Sequence, residues 1–205
     1  MKFLKREVEK IVNKKTRAIN KEEFEKIIET IRTGFTLSDG TRVRPNERIA
    51  VVLTLQANLG LRIGDIVKLR LNNIILDNGR YHLDIIEQKT RKKRTFTVPT
   101  QVYAYLQNYV LQNGLLPTQT LFPVTVRAVQ LHLQKVCTYL KLDGVSTHSF
   151  RKFFAVSIYN ENDYNVELVR QLLQHSSVAV TQHYLSVEPK IVEQALQKHI
   201  VLPPT

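Results

Sequence analysis

Apolar residues recur along this chain at two periods, and the change of period divides it. Phe24, Ile27, Ile28 and Ile31 stand at i, i+3, i+4 and i+7 behind an Asn20–Glu23 pair spaced as a capping box. That spacing predicts an amphipathic helix. After a polar loop with Asp39-Gly40, Pro45 opens a strongly apolar helix that runs to about Leu59 and is ended by Gly60. Residues 62–71 predict a shorter helix with Ile63, Ile66, Val67, Leu69 and Leu71 turned inward. The period then drops to two. Ile74-Ile75-Leu76, a turn at Asp77-Asn78-Gly79, alternating Tyr81, Leu83 and Ile85, and Thr95-Phe96-Thr97-Val98 stopped by Pro99 predict antiparallel strands. Helical spacing returns over 101–112, 124–140, 147–160, 164–174 and 188–199. The expected class is α+β and mostly helical: seven or eight helices with a small three-stranded antiparallel sheet.

Residues 1–16 set Phe3, Leu4, Val8, Ile11 and Val12 among lysines at roughly helical spacing. This reads as a basic amphipathic arm, suited to lie along DNA phosphates or a neighbouring subunit. Residues 17–205 read as one domain. A chain of 205 residues with 43% hydrophobic content can bury a real core. Thirty lysines and arginines against 18 acidic residues give a net charge of +12, which favours polyanions and nucleic acid above all. A membrane-surface role would account for the basic arm and nothing else. The single cysteine, Cys137, excludes an internal disulfide and any Cys-rich zinc site. There is no signal-like apolar region at the start and no stretch long enough to span a bilayer. The expected location is cytoplasmic and nucleoid-associated, with no membrane partner.

Four separated pieces carry chemistry. Arg62 follows a glycine break with Asp65 one turn on; a guanidinium there can fork onto a phosphate while the carboxylate fixes its direction. Lys89 stands at the tip between two strands, where an ammonium can reach a leaving oxygen. Around it Arg91, Lys92, Lys93 and Arg94 make a basic turn suited to the DNA backbone, as is Lys152. His148 and Arg151 lie at i, i+3 on one helix face and can grip one anion together. Finally, His175-Ser176-Ser177 is followed by Thr181 and Tyr184. A phenol with a pKa near ~10 attacks poorly unless cations stabilise its charge. Taken singly, each piece is matched by a surface ion pair, a solvated turn or a core tyrosine.

Taken in order, Arg62, Lys89, His148-x-x-Arg151, His175-Ser-Ser and Tyr184 resemble the signature of the tyrosine recombinase (phage integrase) family, from about residue 17 to about 187. The stretch from Leu168 to Tyr184 is its most specific part. Gln174 departs from the family's usual glycine, and Lys152 from its frequent histidine or arginine. The resemblance implies a catalytic domain that breaks and rejoins double-stranded DNA through a 3′-phosphotyrosyl intermediate, in integration, excision or inversion. Arg62 and Arg151 would hold the scissile phosphate and Tyr184 would attack it. Lys89 would protonate the 5′-oxygen, His148 would take or share the tyrosine proton, and His175 would hydrogen-bond the phosphate. No metal or other cofactor is then needed. The family works as homotetramers on DNA, with a monomer as the free state. A C-terminal helix at about 188–200 docks either on its own domain or on a neighbour. There is no room for the helical domain that usually precedes this one, which implies a naturally short recombinase or an excised domain. A type IB topoisomerase-like activity and a non-catalytic DNA-binding regulator with the same fold are the alternatives.

Overall fold

The computed structural model describes residues 16–91 and 93–185. The expected basic arm, Lys92 and the expected helix at 188–200 lie outside the described residues. Helix α1, Lys21–Thr33, begins with the expected capping box: Asn20 Oδ1 accepts from the Glu23 amide at 2.8 Å, and the Glu23 carboxylate accepts from the Asn20 amide at 3.1 Å. It buries Ile27, Ile28 and Ile31. A short ribbon follows, β1 Phe35–Thr36 against β2 Arg42–Val43, which the sequence reading passed over as loop. Two-residue strands are too brief to show a period.

Helix α2, Glu47–Leu59, is capped by Asn46, one residue beyond Pro45. It is buried on nearly every side, as expected of a strongly apolar helix at the centre of a domain. Gly60 ends it in the left-handed conformation, at φ 58°. A Cβ there would also stand 2.4 Å from the Phe154 ring, so only glycine fits.

The helix expected over 62–71 shrinks to α3, Ile63–Ile66. Beyond it the backbone pairs with a distant loop instead: the Leu121 amide donates to the Leu69 carbonyl at 2.9 Å, and Arg70 bridges Thr120. A 3₁₀ turn, Leu71–Asn73, leads into β3 Ile74–Asp77, β4 Arg80–Ile86 and β5 Lys93–Val98. These form the expected antiparallel sheet in the order β3-β4-β5, with Leu83 opposite both Ile74 and Phe96. Helix α4, Thr100–Gln112, covers the sheet, with Tyr103 stacked on Tyr81 at 3.8 Å.

Helices α5 Val126–Leu140, α6 Thr147–Glu161, α7 Val166–Leu173 and α8 Val178–Leu185 complete the described fold. Helix α6 packs along α2 and carries α7 and α8 on its far side. There Ala155, Val169 and Leu173 form a second small core with Phe154, Ile158 and Tyr184. Helix α8 is not among the helical stretches expected from the sequence. It is eight residues long and rich in β-branched Val178, Val180 and Thr181, which weaken the helical signal. Among the described residues, no helix is long and apolar enough to cross a membrane.

Candidate active site

The site forms where the end of α2, the β4–β5 turn, the start of α6 and the α7–α8 junction meet. Arg151 joins three of these. It is 2% exposed, and its two terminal nitrogens donate to the carbonyls of Gly60 and of Leu173, the latter at 3.0 Å. Both carbonyls end helices, α2 and α7, where a cation meets the negative end of the helix dipole. The Gly60 bond places Arg62, two residues on, beside Arg151, and the Leu173 bond does the same for His175. Burial pulls the Arg151 pKa down to about 10, which leaves it charged at neutral pH.

Arg62 is the extended residue ahead of α3, at φ −70° and ψ 145°. Its guanidinium pairs with Glu87, not with Asp65 as the i, i+3 spacing suggested. Asp65 instead accepts the Gln88 amide at 2.9 Å, fixing the base of the turn. The physical reason is local: a residue in extended conformation does not send its side chain along the helix face that the spacing presumes. Glu87, wholly buried, also accepts from Arg94 and from Thr90, each at 2.8 Å. Burial by itself would raise its pKa; the bonds from Arg94 and Thr90 and the charge of Arg62 hold it below the ordinary value. Glu87 is not among the site residues expected from the sequence. Its one signal is a lone acid between an apolar strand and a run of cations.

Lys89 and Arg91 are exposed on the turn, Arg91 at a positive φ of 57°. Lys93 is exposed and lies 3.2 Å from Asp84. Two expected DNA-backbone contacts are corrected. Arg94 is 1% exposed, turned inward by Glu87 and by the Leu172 carbonyl, to which it donates at 2.5 Å. Lys152 is 9% exposed; its ammonium donates to the Thr16 carbonyl at 2.7 Å and lies 5.5 Å from the centre of the Tyr184 ring.

His148 stands in the first turn of α6, which Ser146 caps by accepting the His148 amide at 3.2 Å. Its residue is exposed overall, yet the imidazole pKa is lowered, by desolvation first and then by Arg151, Lys89, Lys152 and Arg62. Those couplings put the expected cations and His148 at one place.

Gln174 ends α7 in the left-handed conformation at φ 52°, which gives a physical meaning to glycine as the alternative here. Its side chain donates to the Lys93 carbonyl at 3.2 Å. His175 follows, its Nδ1 3.1 Å from the hydroxyl of wholly buried Thr181, its ring edge-on to Tyr184 at 5.2 Å. The Tyr184 hydroxyl is buried and has no hydrogen-bond partner among the described residues. Burial raises its pKa, while Arg151 and Arg62 pull it the other way. A groove of about 830 Å³ runs from His148 between α5 and the loop before α6, past Arg127, Gln134, Lys141 and Ser146 to Thr16.

Burial, with Arg151, Arg62 and Arg94, lowers the His175 pKa to about 4. The fold therefore keeps it neutral, whereas the unfolded chain takes up its proton near ~6.5. Stability from this group is present above about 6.5 and is lost as pH falls towards about 4. Urea melts across that window should show the decline, and His175→Gln should flatten part of it. A variant with an unchanged slope would contradict the buried, cation-flanked ring.

Such a fold, with Arg62, Arg151 and His175 around Tyr184 and His148 coupled to the same two arginines, is that of a tyrosine recombinase catalytic domain. The phage integrase family profile matches residues 17–190, and the chain belongs to that family. It is 27% identical over 164 residues to the tyrosine recombinase XerC of Caldanaerobacter subterraneus subsp. tengcongensis, covering 75% of this chain and 45% of that protein. To a probable integrase/recombinase of Acholeplasma phage L2 it is 24% identical over 156 residues, covering 72% and 52%. The chain thus spans about half the length of these relatives. The fold matches the XerH site-specific recombinase in a post-cleavage complex with its difH substrate, with a TM-score of 0.66 and 20% identity over 90% of this chain and 54% of that one.

Proposed function

We propose that this chain is the strand-cleaving domain of a site-specific DNA recombinase, acting through a covalent 3′-phosphotyrosyl intermediate. The observation that carries the reading is Arg151 spanning the Gly60 and Leu173 carbonyls, which gathers Arg62 and His175 around the Tyr184 hydroxyl. Three side chains there can donate to phosphate oxygens: Arg62 and Arg151 as fixed cations, and His175 through Nε2 in the tautomer whose Nδ1 accepts from the Thr181 hydroxyl. Positive charge held in place before the substrate arrives stabilises the extra charge of a pentavalent transition state.

In the proposed step Tyr184 Oη attacks phosphorus in line, and the bond to the 5′-oxygen breaks. His148, neutral at physiological pH by its lowered pKa, accepts the tyrosine proton. Lys89 gives a proton to the departing 5′-oxygen. The tyrosyl ester keeps the energy of the phosphodiester, so a 5′-hydroxyl from another strand can reverse the step. Exchange between two duplexes calls for four copies, and the groove beside His148, with Arg127 and Lys141, is the proposed track for the backbone.

The test uses a nicked suicide duplex drawn from candidate sites, followed by a denaturing gel. A protein–DNA band resistant to denaturation is expected, and binding should weaken steeply between low and physiological salt. Salt-sensitive binding without covalent product at any site would indicate a non-catalytic regulator. Relaxation of any supercoiled plasmid, irrespective of site, would indicate a topoisomerase.

A further inference from the structure

Two buried charges have no chemical task in the proposed reaction. Glu87 directly follows β4 and Arg94 is the second residue of β5, so their pair, at 2.8 Å, spans the neck of the turn that carries Lys89. Glu87 is fastened to the turn itself as well: the Thr90 hydroxyl donates to its carboxylate at 2.8 Å, and the Arg91 amide donates to its carbonyl at 2.9 Å. Arg94 extends the tie outward by donating to the Leu172 carbonyl at 2.5 Å. The next carbonyl along α7, that of Leu173, is the one Arg151 holds. Two successive carbonyls just ahead of His175 are therefore gripped, one from the turn of the acid and one from the phosphate-binding arginine. Gln174 adds a parallel link to the Lys93 carbonyl at 3.2 Å.

An ion pair at this depth is a poor source of stability, because desolvation of both charges offsets their attraction. Geometry is what it supplies. Lys89 itself is exposed on a short turn, and a general acid is useful only within hydrogen-bond reach of the oxygen it protonates. We infer that Glu87 and Arg94 are positioning residues that strap the Lys89 turn to the end of α7, and so set where the acid stands relative to the nucleophile. The inference rests on the proposed role of Lys89.

The chemistry offers a selective readout. With ordinary DNA the electron pair of the breaking P–O5′ bond goes to an oxygen that needs the proton of Lys89. With sulfur in that bridging position a thiolate leaves, a much weaker base that needs no proton. Arg94→Met keeps an unbranched apolar stem and removes both ties. It should slow single-turnover cleavage of the oxygen substrate roughly 10- to 100-fold, the scale on which a misplaced acid acts. Cleavage of the 5′-bridging phosphorothiolate duplex should return to within about threefold of the unaltered protein, since no acid is then required. Binding of the uncleaved duplex should not change, because Arg94 is buried. Thr90→Val, which leaves the buried pair in place, should show a smaller loss rescued in the same way. The inference is overturned if either variant is as slow on the sulfur substrate as on oxygen, or if both cleave ordinary DNA at the unaltered rate. An unaltered protein that cleaves neither substrate would remove the proposed recombinase function along with it. Cleavage by the unaltered protein with unrescued variants would remove the strap alone.

Discussion

Replacing Tyr184 by phenylalanine is expected to abolish covalent capture of DNA and to leave the domain at least as stable as before. The first half follows from chemistry. If the phenolic oxygen forms the bond to phosphorus, no neighbouring group replaces it, and the covalent band falls below detection. The second half follows from burial. The Tyr184 hydroxyl is buried without a hydrogen-bond partner among the described residues, while its ring packs against His175 and the small core under α6. An unmet buried hydroxyl costs about 1–3 kcal/mol, so deleting it should hold the melting temperature or raise it slightly. Thermal melts and the suicide-duplex gel, run on the same preparation, check both halves. A persistent covalent band would mean that another residue is the nucleophile. A large fall in stability would mean that the hydroxyl has a structural partner. The energetic cost also fits a reactive group, because a phenol already bonded would have to give up that bond before attacking.

The second large effect is expected at Arg151, and there stability and chemistry fall together. Its guanidinium meets the Gly60 and Leu173 carbonyls at once. Arg151→Ala leaves both buried acceptors unpaired, a loss of about 1–3 kcal/mol for each group. It also takes away one of two proposed phosphate-binding cations, worth roughly 100- to 1000-fold in cleavage rate. Arg151→Lys restores the charge without the planar fork needed to span two carbonyls, so it should recover less of the stability than of the DNA binding. Denaturation curves and single-turnover rates separate the two contributions. An alanine variant that melts normally and cleaves at the unaltered rate would refute both.

Much of this was legible in the amino-acid order because the signals were strong and local. The Asn20–Glu23 box, the Gly60 stop and the alternation through Tyr81, Leu83 and Ile85 each encode a backbone conformation within a few residues. The spacing from His175 to Tyr184 was legible too, and the structure shows what Thr181 does within it: buried, it engages the imidazole. The polar scaffold behind the site was not legible. Arg94 looks like one more cation in a solvated run until β5 turns its side chain inward, and Glu87 matters only because residues from three segments converge on it. Asp65 was assigned to the wrong partner because spacing says which residues are near, while backbone conformation decides where their side chains go. The two-residue ribbon is too short to show a period, and the β-branched residues of α8 blur the helical one.

The junction at Thr16 has a practical bearing on any work with this protein. There the chain is moored by Lys152, whose ammonium also faces the Tyr184 ring, and by the Arg17 amide on the Gly144 carbonyl at 3.0 Å. Thr16, the first described residue, therefore lines one end of the groove that reaches His148. A fluorophore on residue 16 itself should report on occupation of that groove, whereas one on the exposed Asn78-Gly79 turn touches none of the residues that line it.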